Sequence, residues 1–213
     1  MSCLAALIKF HQLYLQAFSN CLDSLPQTFP NGDSVCIVGE QVSHKPVYWQ
    51  PVACEPPMHF DNIAAALELH LHPDIAAFYG HFFAGALTFD SPWGSGELLQ
   101  VWNQQDLELL QQNLIGHLLM KKQLKQAPTW FIGVFDEGDS MLTVNNDDGS
   151  VWREIPGNEP CEQLALSLSE FLSVIKPRVA PPQEHHDYQD DSLEHPGIFA
   201  SIKRMWHNLT GRR

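Results

Sequence analysis

Basic residues are scarce: 12 Lys and Arg stand against 25 Asp and Glu in 213 residues, a formal net charge of −13. That balance repels a phosphate backbone, which excludes nucleic acid as a partner and favours a basic one, or plain solubility. Long apolar runs are also missing. None approaches the roughly 18 residues that span a bilayer, and no basic segment precedes an apolar core at the start, so neither a membrane span nor a secretory signal is expected. The five cysteines are odd in number, widely spaced and without a CxxC pair, which fits reduced thiols better than a disulfide framework. There is no GxxxxGKS/T phosphate loop, no HExxH and no GxSxG. Asn146-Asp147-Asp148-Gly149 resembles part of a calcium loop, but Val144 and Ile155 stand where ligands are needed, so a β-turn is the reading. His70, His72 and His81 lie near one another in sequence without a third ligand that can be placed. No nucleophile–base pair, metal set or cofactor motif can be assembled, and an enzyme is not expected.

What is present reads as one α+β domain. Residues 2–18 form a helix with Ser2 as its cap and a stripe of Leu4, Leu7, Ile8, His11, Tyr14, Leu15 and Phe18. Short strands are expected at Val35–Val38 and Val47–Gln50, and Ile63–Leu69 is ambiguous between helix and strand. Strands around Ala86–Phe89 and Leu98–Trp102 flank a Pro92–Gly96 turn. Leu107, Leu110, Leu114, Leu118 and Lys121 recur at helical spacing, and Pro128 ends that helix before the β-branched and aromatic run Thr129–Phe135. Met141–Asn145 and Val151–Ile155 flank an Asp-Gly turn as a hairpin. Glu162–Ile175 carries Leu164, Leu168, Phe171, Leu172 and Ile175 at the spacing of a last helix. Helices at both ends of hairpin-linked strands, without strict βαβ repetition, give the α+β class.

The segment Asn113–Gly133, NLIGHLLMKKQLKQAPTWFIG, resembles the signature of the bacterial Syd family of SecY-interacting proteins. Val47-Tyr48-Trp49-Gln50-Pro51, Phe78-Tyr79, Phe83-Ala84-Gly85 and Val101-Trp102 repeat that family's words in the same order. The resemblance covers roughly residues 1–177 and implies a helix at Ile75–Tyr79 after the His72-Pro73 turn. It implies a mixed β-sheet flanked by helices, a fold shared with toxin-immunity proteins, and a non-enzymatic protein on the cytoplasmic side of the inner membrane. It further implies an acidic concave surface that receives basic cytosolic loops of SecY and so monitors or restrains the translocon. Residue by residue it points to Glu68, Asp106, Asp136, Glu137 and Glu154 as partner-binding acids. Glu108, Asp139, Asp147 and Asp148 add charge nearby without support from the family pattern. A solvated face is the alternative for any one of them, and an immunity-type protein masking a basic toxin is the alternative function.

The last residues read independently of that resemblance. Residues 178–196 are rich in Pro, His, Asp and Glu and read as a disordered linker. Residues 197–213 carry Lys203, Arg204, Arg212 and Arg213 and no acid. Ile198, Phe199, Ile202, Met205, Trp206 and Leu209 share one helical face there, with Lys203, Arg204 and His207 opposite. A basic amphipathic helix of this kind suits an anionic membrane surface, with Ile198, Phe199, Ile202, Lys203, Arg204 and Trp206 in contact. Packing on its own body or insertion into the acidic groove are the competing readings.

Overall fold

The computed structural model describes residues 1–182. The expected tail helix at 197–213 and most of the expected linker lie outside the described residues.

Helix α1, Cys3–Leu22, begins where Ser2 accepts a hydrogen bond from the Ala5 amide at 3.3 Å, and ends at left-handed Asp23. Its buried face holds Cys3, Leu7, Phe10, His11, Tyr14 and Phe18, whereas Ile8 stays 37% exposed, so the stripe is rotated from the expected one. A small sheet follows, β1 (Gln27–Thr28), β2 (Ile37–Val38) and β3 (Val47–Trp49), in the order β1-β3-β2. β4 (Val52–Ala53) pairs with β5 (Phe82–Phe83). Between them α2 (Asp61–Leu67) settles the ambiguous stretch as helix, and α3 (Pro73–Tyr79) starts from His72, whose Nδ1 accepts from the Asp74 amide at 3.3 Å.

The main sheet contains β6 (Leu87–Ser91), β7 (Gly94–Leu98), β8 (Thr129–Phe135), β9 (Met141–Asn145), β10 (Val151–Glu154), β11 (Glu162–Ala165) and β12 (Lys176–Pro177). Their order is β11-β10-β9-β8-β7-β6-β12, and every pair is antiparallel. The α+β class therefore holds. All seven residues of central β8 are buried, as a β-branched and aromatic run between two hairpins requires. Helix α4 (Gln104–Gln123) lies against β8 and carries α2 on its flank, while α1 packs on α3 and on α5 (Leu168–Val174).

Two expectations are corrected. Gly94–Gly96, read as turn, is the first half of β7. A Cβ on Gly96 would collide with the Val134 carbonyl, so the bare backbone is what lets β7 and β8 meet. Glu162–Ile175, read as one helix, splits into β11 and α5, because Ser167 caps α5 by accepting from the Glu170 amide at 3.2 Å while the Glu170 carboxylate accepts from the Leu166 amide at 2.8 Å. The body also continues past residue 177: the Arg178 amide donates to Thr88, and Val179 packs on the core.

Candidate functional site

The five acids suggested by sequence occupy different environments. Glu68 closes α2 in a left-handed conformation, φ 51°, and is exposed. Glu137 is exposed in the turn that joins β8 to β9, where Gly138 supplies the positive φ. Asp136, just before it, is half-buried and accepts a 2.6 Å ion pair from Arg178.

Asp106 belongs to a helix cap. Asn103 accepts from the Asp106 amide at 2.9 Å, and the Asp106 carboxylate accepts from the Trp102 amide at 2.8 Å, a reciprocal arrangement that satisfies two amides at the start of α4. The Asn103 amide nitrogen then donates to the carbonyls of Asn31 and Asp33 at 2.9 and 3.0 Å, tying the loop before β2 to the helix. Burial raises the Asp106 pKa, and the bond from Trp102 opposes the rise.

Glu154 is not a surface residue. Its side chain is 0% exposed and 3.1 Å from the Lys121 amine, which is also 0% exposed. The other carboxylate oxygen accepts from Thr129 at 2.8 Å and Thr143 at 3.1 Å. His117 sits against the same group, with Nε2 3.1 Å from the Thr129 hydroxyl and 3.9 Å from Glu154. Lys121 completes its shell by donating to the Asn158 carbonyl at 3.2 Å. Burial raises the Glu154 pKa against the pull of Lys121, and burial with help from Lys121 pushes His117 down to about 3, so the imidazole is neutral at pH 7. Glu154, expected among the partner-binding acids, is thus found enclosed by these groups and not on the surface. What sequence reading missed is the group that holds it. Its one visible signal was Lys121, which falls in step with the four leucines that pack the helix.

Asp136 and Glu137 lie apart from Glu68. The Asn146 side chain bonds the backbone of His70 and His72 at 2.8 and 3.0 Å, which places the end of α2 beside the β9–β10 turn. Asp136 and Glu137 lie at the opposite end of β9, whose five residues span roughly 17 Å. At that far end Arg178 gathers Asp136 and, at 3.8 Å, Asp90. Asp139 is exposed beside Glu137, and Asp147 and Asp148 are exposed beside the end that holds Glu68. These exposed acids therefore fall in two groups, one at each end of β9.

His72 is used as a helix cap and packs against Gly149, and among the described residues no group of three His, Cys, Asp or Glu could hold a metal ion. The described cysteines are free thiols, with Cys3, Cys36 and Cys54 buried and Cys21 and Cys161 exposed. No described helix is long and apolar enough to cross a membrane.

Fold and site together define an α+β domain whose buried Lys121–Glu154 pair braces the sheet and whose exposed charge is mainly acidic. The family model described as Syd protein (SUKH-2) matches residues 4–177. Protein Syd of Shewanella putrefaciens is 58% identical over 215 residues, and Protein Syd of Shewanella baltica is 58% identical over 216 residues, with the whole of both chains covered in each comparison. The chain belongs to the Syd family.

Proposed function

We propose that this protein is a non-enzymatic SecY-binding factor, peripheral to the inner membrane on its cytoplasmic side, which monitors or negatively regulates the translocon. Its exposed acids receive basic cytosolic loops of SecY. Family membership along the whole body is the observation that carries this reading, and the resemblance supplies the partner. Glu68, Glu137, Asp139, Asp147 and Asp148 are exposed, whereas Asp106 caps a helix and Glu154 is sealed. Single exposed ion pairs contribute ~0.2–1 kcal/mol each, so recognition needs several of them acting together and weakens with salt. The basic tail, with Ile198, Phe199, Ile202, Lys203, Arg204 and Trp206, adds weak contact with an anionic membrane surface in this reading.

The test is capture of SecY from detergent-solubilised membranes at low salt. Two variants address the two groups of exposed acids, Glu68→Lys with Asp147→Lys, and Glu137→Lys with Asp139→Lys. Each should reduce capture while leaving thermal unfolding in place, and the more damaging pair locates the dominant contact. Full capture by both folded variants would refute an acidic recognition surface. Recovery of a basic soluble protein in place of SecY would support the immunity-type alternative.

A further inference from the structure

The two edges of the seven-stranded sheet are finished differently. β12 is two residues long and consists of Lys176 and Pro177. Proline cannot donate to a ladder and lysine resists burial, the usual means of stopping a sheet from growing. The other edge, β11, runs from Glu162 to Ala165 with no proline and no lysine; it pairs only with β10 among the described residues, with a register shift that leaves Leu164 as a bulge. Glu162 and Gln163 are exposed, while Leu164 and Ala165 turn into the core. Immediately beyond the strand, Leu166 is 73% exposed, the most exposed of the large apolar side chains of the body.

Charge around this edge has one sign in excess. Glu159, Glu162 and Glu170 are exposed. Among them Glu162 is paired with Arg153 at 3.4 Å, and Arg153 also lies over the Phe135 ring at 4.4 Å. Glu170 is partly committed, since it accepts the Leu166 amide. An acidic fringe discourages edge-to-edge pairing with another copy of this chain, because like charges would oppose one another. It attracts a strand of the opposite charge.

We propose that the open edge of β11 accepts an extended, basic segment of a second polypeptide as an eighth strand. Main-chain hydrogen bonds continue the antiparallel ladder and alternate side chains supply selectivity. Lysine or arginine side chains meet Glu159 and Glu162 at the start of the strand, and an apolar residue covers Leu166 at its end. The four-residue strand sets the distance between these two features at roughly 13 Å. The inference goes beyond SecY recognition, since it concerns the outer edge of β11 and holds for whichever basic polypeptide the protein meets.

The full chain, mixed with an eight-residue synthetic peptide that alternates lysine with valine and ends in leucine, provides the test. Residue-resolved hydrogen exchange should show slowing by about tenfold or more at amides within residues 162–166, and no change at β12. A copy of the peptide N-methylated at alternate residues keeps its charge and loses its ladder donors, and should not protect the edge. The variant Glu159→Lys with Glu162→Lys should weaken binding by about tenfold and keep the unfolding temperature of the parent. Equal protection by the N-methylated peptide would overturn the proposal, as would protection confined to other elements. So would an edge already protected before peptide is added and released by truncation after residue 182, for then the protein's own tail is the occupant.

Discussion

Replacing Lys121 with methionine keeps most of the side-chain volume and removes the charge that faces Glu154 across 3.1 Å. The carboxylate would remain buried, held only by Thr129 and Thr143. Losing one member of a buried pair costs about 3–5 kcal/mol, because the surviving charge has neither water nor partner. Total stabilities of about 5–15 kcal/mol make that a large fraction. At roughly 2–4 °C per kcal/mol for a domain of this size, the melting temperature should fall by about 6–20 °C. Glu154→Gln should cost about as much for the mirrored reason, since it strands the Lys121 ammonium. In the double variant both charges are gone, and the residual cost is that of imperfectly satisfied hydroxyls around Thr129 and Thr143, about 1–3 kcal/mol. The cycle should then give a coupling of roughly 3 kcal/mol or more.

Acidity gives a second readout of the same pair. Burial already raises the Glu154 pKa above its ordinary value of 4.5, and removal of Lys121 removes an opposing cause. A carboxyl whose folded pKa is raised binds its proton more readily in the folded state. Its contribution is present below the unfolded pKa and is lost as pH rises through the folded one. Lys121→Met should therefore come closer to wild type as pH falls from 7 toward 5. Urea unfolding followed by tryptophan fluorescence can measure both effects, with Trp130 buried on β8 as a reporter. Single costs below about 1 kcal/mol, or additivity within ~0.5 kcal/mol, would refute a coupled buried pair.

Three further outcomes follow from other elements. His11 is 4% exposed, edge-on to Phe82 at 5.0 Å with Gln100 as polar neighbour, and burial pushes its pKa down from 6.5 to about 4. The unfolded chain takes up the proton first, so stability falls as pH drops from 6.5 toward 4. His11→Leu should remove about 2 kcal/mol of the loss between pH 6.5 and 5, and an unchanged slope of unfolding free energy against pH would count against this. Gly96→Ala would set a Cβ against the Val134 carbonyl and 2.8 Å from the Phe89 ring; soluble yield and melting temperature should both drop sharply, and a near-native melting curve would contradict the close β7–β8 approach. Ser167→Ala should cost about 1 kcal/mol through loss of the α5 cap, read by urea unfolding, and no change would remove that cap from the account.

Elements whose pattern is local were legible from sequence. Ser2 caps α1, Pro128 precedes β8, and the Asp-Gly turn joins β9 to β10, each because a few adjacent residues dictate the backbone. β7 was not legible in the same way. Gly94 and Gly96 signal a turn in isolation, and only the approach of Val134 across the sheet turns their missing side chains into a requirement of a strand. The β11–α5 boundary was legible and overlooked: Leu164, Leu168 and Leu172 keep helical spacing across it, but Ser167-Leu168-Ser169-Glu170 is a capping box that marks where the helix starts.

The acids show why a site is harder to read than a fold. Whether a carboxylate faces a partner or the core depends on what the chain brings to it from a distance, and residue identity at one position does not contain that. Glu154 receives its counter-charge from Lys121, 33 positions earlier, and its hydroxyl donors from two other strands. The family signature contains His117, Lys121 and Thr129, which supply three of the groups around that carboxylate. A lysine in register with Leu107, Leu110, Leu114 and Leu118 on a buried stripe needs an acid to meet it. Glu154 meets that need, and this ties the family's most recognisable segment to bracing the sheet.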